Sequence, residues 1–166
     1  DLYRIMVIGS NTVGTYELGE IYEDANNNGL NDGETYIDLN VFQDHMTIKD
    51  LRFEEAYSSS YHGAALYVYG VNNLEIINVD MMDNNVIGNS WGGGAVFSHT
   101  ATTDIINSTF ANNDAGRNSA NAGGGAVYSI YGTLKLTRCL FYDNQVANDL
   151  GSAVFVGYPG AVLNMD

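Results

Sequence analysis

Gly93-Gly94-Ala95-Val96-Phe97-Ser98 and Ile105-Ile106-Asn107-Ser108-Thr109-Phe110-Ala111-Asn112-Asn113 are two phrases that recur along the chain. The first phrase returns at residues 63–68, 124–129 and 151–156, and the second returns at residues 46–53, 74–81 and 134–141. Successive copies are about 27 to 31 residues apart, a period that is typical of solenoids and other repeat proteins. The repeat therefore organises the fold.

Aligned copies of the second phrase place similar residues in the same columns. The two apolar columns are Ile48, Ile76, Ile105 and Leu136, and then Phe53, Met81, Phe110 and Phe141. Three residues after the second column come Ala56 and then Asn84, Asn113 and Asn144. Stacked amide side chains can donate hydrogen bonds from one coil to the next. We therefore predict a structural ladder of Asn84, Asn113 and Asn144.

Each apolar run is short and lies between Gly clusters and Asn-rich joints, which disfavours paired helices. We predict an all-β solenoid of about five coils, each made of short strands that stack at about 4.8 Å per coil. The domain is predicted to be residues 1–166, with regular coils over 36–166. Residues 1–35 form either an irregular first coil or a cap, with strands at 3–8 and 16–22 and a turn at 9–11.

The alternation of Gly-Gly-Ala with Phe-x-x-Asn, as in residues 110–113 and 141–144, resembles a known repeat family. It is similar to the repeats of polymorphic outer-membrane proteins and related bacterial surface proteins, over about residues 46–166. The resemblance implies a right-handed parallel β-helix of the pectate-lyase-like type. It leaves the function open, because that fold hosts lyases, hydrolases, adhesins and phage tailspikes.

The composition excludes two kinds of partner. The chain has 20 acidic and 6 basic residues, a net charge of −14. Nucleic acid binding depends on Lys and Arg, and an anionic membrane surface repels such a protein. No apolar stretch reaches the length of a transmembrane helix, about 18 residues. We therefore expect no nucleic acid partner and no membrane insertion, and an extracellular or cell-surface location.

Residues 24–34 carry the strongest chemical motif, Asp-Ala-Asn-Asn-Asn-Gly-Leu-Asn-Asp-Gly-Glu. Oxygen ligands at alternate positions, with Gly at the sixth, resemble the start of an EF-hand calcium loop. The predicted calcium ligands are Asp24, Asn26, Asn28, the Leu30 carbonyl, Asp32 and Glu34. The acidic residue falls at position 11 rather than 12, so the affinity is lower or another residue, such as Asp38, completes the site. The alternative is an Asn/Gly-rich turn that binds no ion.

A column of aromatic residues follows from the first phrase: Tyr67, Phe97, Tyr128 and Phe155. If the preceding residues, Leu66, Val96, Val127 and Val154, point into the core, the rings face outward. An outward ladder would be a contact surface for sugars or for another protein. With the opposite parity the rings would belong to the core.

The remaining polar features favour a structural protein over an enzyme. Glu55, Asp83, Asn112 and Asp143 form an outward column, which is a solvated edge, a weak cation site or a pair of catalytic acids. A calcium-dependent polysaccharide lyase needs a basic residue among carboxylates, whereas Arg52, Lys135 and Arg138 are spread over separate coils. The single cysteine, Cys139, is predicted to be a buried, inert thiol, and no residue is predicted to be catalytic.

The function that we predict is a calcium-stabilised, adhesin-like or filament-forming structural module of an extracellular surface protein. The alternatives are a polysaccharide-binding module that uses the aromatic column and, less favoured, a calcium-dependent polysaccharide lyase. The final phrase, residues 160–166, stops where a new strand begins. We therefore expect a segment of a longer protein, or a unit that self-associates through open solenoid ends or binds cell-surface glycans.

Overall fold

The computed structural model describes residues 6–12, 15–20, 45–58, 63–69, 71–87, 92–100, 102–116, 123–146, 151 and 153–166. These residues form four sheets and contain no helix. Sheet I contains β1 (Met6–Thr12), β2 (Thr15–Glu20), β6 (Leu66–Tyr69), β10 (Val96–His99), β14 (Val127–Ile130) and β18 (Val154–Gly157). Sheet II contains β3 (His45–Lys49), β7 (Asn73–Ile77), β11 (Thr102–Ile106), β15 (Thr133–Thr137) and β19 (Val162–Met165).

The other two sheets are made of shorter strands. Sheet III contains β4 (Arg52–Glu54), β8 (Asp80–Met82), β12 (Thr109–Ala111) and β16 (Leu140–Tyr142). Sheet IV contains β5 (Tyr57–Ser58), β9 (Asn85–Val86), β13 (Asp114–Ala115) and β17 (Gln145–Val146). The chain visits the sheets in the order I, II, III, IV and then returns to sheet I. All neighbouring strands are parallel except β1 and β2, so the fold is a parallel β-solenoid.

The described strands make about three complete turns: β6–β9, β10–β13 and β14–β17. Strands β3–β5 precede these turns and β18 and β19 follow them as partial turns. The predicted count of about five coils is therefore too high for the part of the chain that the structure describes. The count failed because the first and last copies of the sequence phrases supply partial turns.

The apolar columns predicted from the repeat are in register. Ile48, Ile76, Ile105 and Leu136 pair in succession across sheet II, and Phe53, Met81, Phe110 and Phe141 pair across sheet III. These residues share one core cluster with Leu66, Val96 and Val127 of sheet I. The rings of Phe110 and Phe141 stack with centroids 4.8 Å apart, so the core repeats like for like from turn to turn.

The corner between sheets IV and I explains the Gly-Gly-Ala phrase. A Cβ atom on Gly93 would lie 1.8 Å from the Val96 carbonyl oxygen and 2.7 Å from the Tyr128 backbone nitrogen. No side chain fits at such distances, so the corner requires glycine. The small, buried Ala95 and Ala126 follow, and the Ala95 N–H donates to the Ala126 carbonyl at 3.0 Å.

The N-terminal strands differ from the prediction in one respect. Residues 9–11, which we predicted to be a turn, lie inside β1, and Thr12 pairs with Thr15 of the antiparallel β2. Antiparallel pairing with β2, which joins Gly9 to Glu17, extends the strand through the predicted turn, and the strand register shifts on either side of Gly9, as a β-bulge does. Strand β2 occupies the outer edge of sheet I, where β1 would otherwise present an unpaired strand edge.

Candidate binding surfaces

The predicted calcium loop lies outside the described residues. All six predicted ligands, Asp24, Asn26, Asn28, Leu30, Asp32 and Glu34, fall between residues 21 and 44. The loop therefore stays a prediction from the sequence. Within the described ranges, no three side chains of His, Cys, Asp or Glu are grouped so that they could hold a metal ion.

The predicted aromatic column is in register across sheet I and faces away from the main core. Leu66, Val96 and Val127 belong to the main core, whereas the rings form a second cluster together with Ile130. The column members are Tyr67, Phe97, Tyr128 and Phe155, and successive ring centroids are 5.3, 5.5 and 5.0 Å apart.

The rings do not form an open ladder, because Phe97 is only 4% exposed and Tyr128 only 2%. Tyr67 and Phe155 are partly buried. The rings therefore point away from the main core, but Phe97 and Tyr128 are buried all the same. These two middle rings offer little surface to a ligand. Burial, and to a lesser extent the phenols of Tyr158 and Tyr131, raise the pKa of Tyr128 to about 12.

The corner between sheets III and IV contains the asparagine ladder. The Asn84 Nδ2 donates to Asn113 Oδ1 at 2.8 Å, and the Asn113 Nδ2 donates to Asn144 Oδ1 at 2.8 Å. Each Nδ2 also donates to a backbone carbonyl one turn back, as Asn113 does to Met81 at 3.0 Å. Each Oδ1 accepts a backbone N–H as well, as Asn113 does from Asn84 at 3.1 Å. The three side chains are buried, so the ladder is part of the interior structure.

The polar column Glu55, Asp83, Asn112 and Asp143 is exposed at the same corner. Its residues have positive φ angles of 52° to 58°. A second column of this kind, Asp50, Asn78, Asn107 and Arg138, forms the corner between sheets II and III. Asn and Asp adopt this left-handed conformation more readily than most residues. The residues of this column therefore allow the backbone to turn at the corner. The interpretation of the sequence considered only their side chains and missed this role.

Three of the basic residues, Arg52, Lys135 and Arg138, each contact an oxygen of a neighbouring side chain. Arg52 Nη2 lies 2.7 Å from Glu54 Oε1, Lys135 Nζ lies 3.3 Å from Asp104 Oδ1, and Arg138 Nε donates to Asn107 Oδ1 at 2.7 Å. These three contacts involve different sheets and corners. Each of these three cations is therefore engaged with its own neighbouring oxygen.

Cys139 is partly buried and packs against the main core. Its Sγ lies 3.3 Å from the Ile105 carbonyl oxygen and 3.5 Å from that of Thr137. These contacts fit a structural thiol that fills space between two turns.

The sequence reading missed a group of exposed rings at the corner between sheets I and II. Tyr131 follows β14 and Tyr158 follows β18, and their rings stack with centroids 4.6 Å apart. The ring of His99 meets Tyr131 edge-on at 5.1 Å. Each tyrosine comes three residues after a member of the aromatic column, and this interval is the signal that could have revealed the pair.

Together these features define a parallel β-solenoid repeat protein with an internal amide ladder and a second aromatic cluster. The described part of the chain has no helix that is long and apolar enough to cross a membrane. The chain has no significant match to a protein-family model, to a curated protein or to a solved structure.

Proposed function

We propose that the chain is a right-handed parallel β-helix of the pectate-lyase-like type that serves as a structural, adhesin-like or filament-forming module of an extracellular surface protein. The observation that carries the proposal is the asparagine ladder within in-register apolar columns. The asparagine ladder and the apolar columns both repeat from turn to turn, and in both the side chains of one turn stack on those of the next. Such a scaffold is stiff along its axis and presents its loops at the edges.

We further propose that calcium stabilises the module through residues 24–34. The support comes from the chemistry of the sequence. Residues 17–44 contain eight of the 20 acidic residues and no Lys or Arg. Oxygen-only ligands in an Asp-x-Asn-x-Asn-Gly arrangement suit a hard divalent cation. A loop that departs from the EF-hand at its last position fits the weak affinity of extracellular modules, about 10⁻⁴ to 10⁻³ M.

The test is thermal unfolding with calcium and then with excess chelator. At about 100 times its dissociation constant, an ion that binds only the folded state adds roughly 2.7 kcal/mol. We expect the chelator to lower the unfolding temperature of the wild type and to have no effect on Asp24→Ala. Asp80→Ala removes the same charge from an exposed position on β8 and should respond to calcium as the wild type does. An unfolding temperature of the wild type that is indifferent to both additions would refute the calcium proposal.

Assembly is tested separately, by sedimentation velocity over a range of protein concentrations with calcium present. Self-association through the solenoid ends predicts a sedimentation coefficient that rises with concentration. A coefficient that stays constant would leave the module as a monomeric scaffold and would remove the filament-forming part of the proposal.

Polysaccharide binding is the second candidate, and one observation favours it. The tyrosines at the corner between sheets I and II are exposed, in contrast to the two middle rings of the predicted column.

A further inference from the structure

Three rings lie together where the strands of sheet I end and the chain turns toward sheet II. Tyr131 and Tyr158 stack with an interplanar angle of 28°, and His99 meets Tyr131 at 67°. Tyr131 is 52% exposed and Tyr158 is 36% exposed, although both rings take part in the stack. We call His99, Tyr131 and Tyr158 the aromatic ledge.

The backbone at the two tyrosines is in an uncommon conformation. Their φ angles are 60° and 77°. The other non-glycine residues with positive φ, in the part of the chain that the structure describes, lie in the two polar turn columns. Asn and Asp tolerate this conformation, whereas a bulky aromatic residue in it is strained. Residues held in uncommon backbone conformations cluster at ligand-contacting sites, which makes these two tyrosines candidates for a binding role.

The preceding turn shows the alternative that this corner can adopt. Ser98 pairs with Ser129, and Thr100 and Tyr131 each follow two residues later. Thr100 is buried, and its hydroxyl lies 3.1 Å from that of Ser98 and 2.7 Å from that of Thr103. One turn further on, the side chain of Tyr131 is instead exposed. A buried threonine, Thr100, therefore occupies this corner in one turn, so the fold does not require an exposed ring such as that of Tyr131 at the same position.

The chemistry of the ledge narrows the class of ligand. Phenol rings offer an apolar face and a polar tip, which suits a ligand that combines both kinds of surface. Burial lowers the pKa of His99 below its ordinary value, so that the imidazole is neutral at neutral pH. A net charge of −14 disfavours anionic ligands. A neutral pyranose has an apolar C–H face bordered by hydroxyl groups, and it fits these requirements.

We propose that the aromatic ledge of His99, Tyr131 and Tyr158 is a binding site for a neutral saccharide. A sugar ring would rest against the accessible surface of the tyrosines, and its hydroxyl groups would meet the phenol and imidazole edges. The inference rests on the proposed adhesin-like role, for which it supplies the partner, but its evidence is the local geometry of the corner.

The experiment is affinity electrophoresis in gels that contain one polysaccharide each: xylan, mannan, dextran, laminarin or hydroxyethyl cellulose, with polygalacturonate as an anionic comparison. The test variant is the double substitution Tyr131→Gly and Tyr158→Gly, because glycine adopts positive φ without strain. Tyr142→Ser is the matched control, since Tyr142 is 41% exposed on β16 of sheet III.

We expect at least one neutral polysaccharide to retard the wild type and Tyr142→Ser equally. The double glycine variant should lose at least ten-fold in affinity while its unfolding temperature stays the same or rises. A second variant, Tyr131→Phe with Tyr158→Phe, keeps the rings and should retain part of the retardation.

The proposal would be overturned by no retardation in any neutral polysaccharide, by retardation in polygalacturonate alone, or by equal loss of retardation in Tyr142→Ser and the ledge variants. Retention of binding in the double glycine variant would also count against it. The calcium response of the unfolding temperature does not involve the ledge. If no glycan binds but calcium still raises the unfolding temperature, the saccharide site on the ledge is refuted and the calcium-stabilised scaffold stands. If a glycan binds but calcium has no effect on the unfolding temperature, the calcium-stabilised scaffold is refuted and the saccharide site stands.

Discussion

Replacing the middle rung of the asparagine ladder, by Asn113→Ala, should destabilise the protein strongly. The Asn113 side chain takes part in four hydrogen bonds: its Nδ2 donates to Asn144 Oδ1 and to the Met81 carbonyl, and its Oδ1 accepts from Asn84 Nδ2 and N. The side chain is fully buried, so water cannot replace these partners in the folded state. All four bonds are lost together in the alanine variant.

The magnitude follows from the net value of a hydrogen bond in folding. A typical bond contributes about 1 kcal/mol, and a buried polar group left without a partner costs about 1 to 3 kcal/mol. Four bonds therefore give a loss of about 4 kcal/mol. Since a domain is stable by only about 5 to 15 kcal/mol, this is a large share of the total.

The ladder position sets the size of the effect. Asn144 takes part in three such bonds and lies in the last turn, at the edge of the ladder. Water can reach part of that site, so we expect Asn144→Ala to cost about 1 to 2 kcal/mol. Asn112→Gly is the matched control, because Asn112 is exposed and its φ of 54° suits glycine. It should change the stability by less than about 1 kcal/mol.

The assay is urea unfolding followed by far-ultraviolet circular dichroism, with the free energy of unfolding extrapolated to water. If Asn113→Ala lost no more stability than Asn112→Gly, the hydrogen bonds of the ladder would make no net contribution to the free energy of unfolding. Asn113→Asp adds a second check. The buried carboxyl should have a raised pKa, so this variant should be more stable at acidic than at neutral pH.

Two further predictions concern the corner and the second aromatic cluster. Gly93→Ala places a Cβ atom 1.8 Å from the Val96 carbonyl oxygen. We therefore expect this variant to lose the cooperative unfolding transition that circular dichroism follows. A retained transition would contradict the tight corner. Burial raises the pKa of Tyr128 from 10.0 to about 12, so the stability due to its protonated phenol is complete below about pH 10 and is lost as the pH rises toward about 12. Tyr128→Phe should make the unfolding free energy less dependent on pH in that interval, as urea unfolding at several alkaline pH values would show.

The fold was predictable where the repeat itself contains the information. A residue and its partner one period later must stack if the coils are in register, so the columns through Ile105 and Phe110 followed from the spacing alone. The ladder through Asn113 followed for the same reason. The number of turns did not follow, because a repeated phrase marks strands and does not show that a turn is complete.

Burial and corner conformation were less accessible to sequence reasoning. The sequence left the parity of the aromatic column open, because either the rings or the preceding residues, such as Val96 and Val127, could have faced the core. The burial of Phe97 and Tyr128 does not follow from the spacing of the repeat either. The positive φ of Tyr131 depends on how one corner closes. Val71, Thr100 and Tyr131 each stand two residues before the start of a sheet II strand and share no chemistry that would mark the position.

The stacking of identical positions also brings some acidic residues next to one another, as with Glu55 and Asp83 at a corner and with Glu75 and Asp104 on sheet II. Two like charges in adjacent turns, about 4.8 Å apart, repel by about 1 kcal/mol in water and by more near the protein surface. In the turn columns, Asn112 separates Asp83 from Asp143, and Asn78 donates to Asp50 at 3.0 Å.

On sheet II, His45 lies 3.0 Å from Glu75, and Lys135 contacts Asp104. Amides and bases thus lie beside several of the acids in the regular turns. Residues 17–44 contain eight acids and no Lys or Arg, so the segment itself supplies no Lys or Arg side chain for such neutralisation. A bound divalent cation would provide it, which is the electrostatic reason to look for calcium in that segment first.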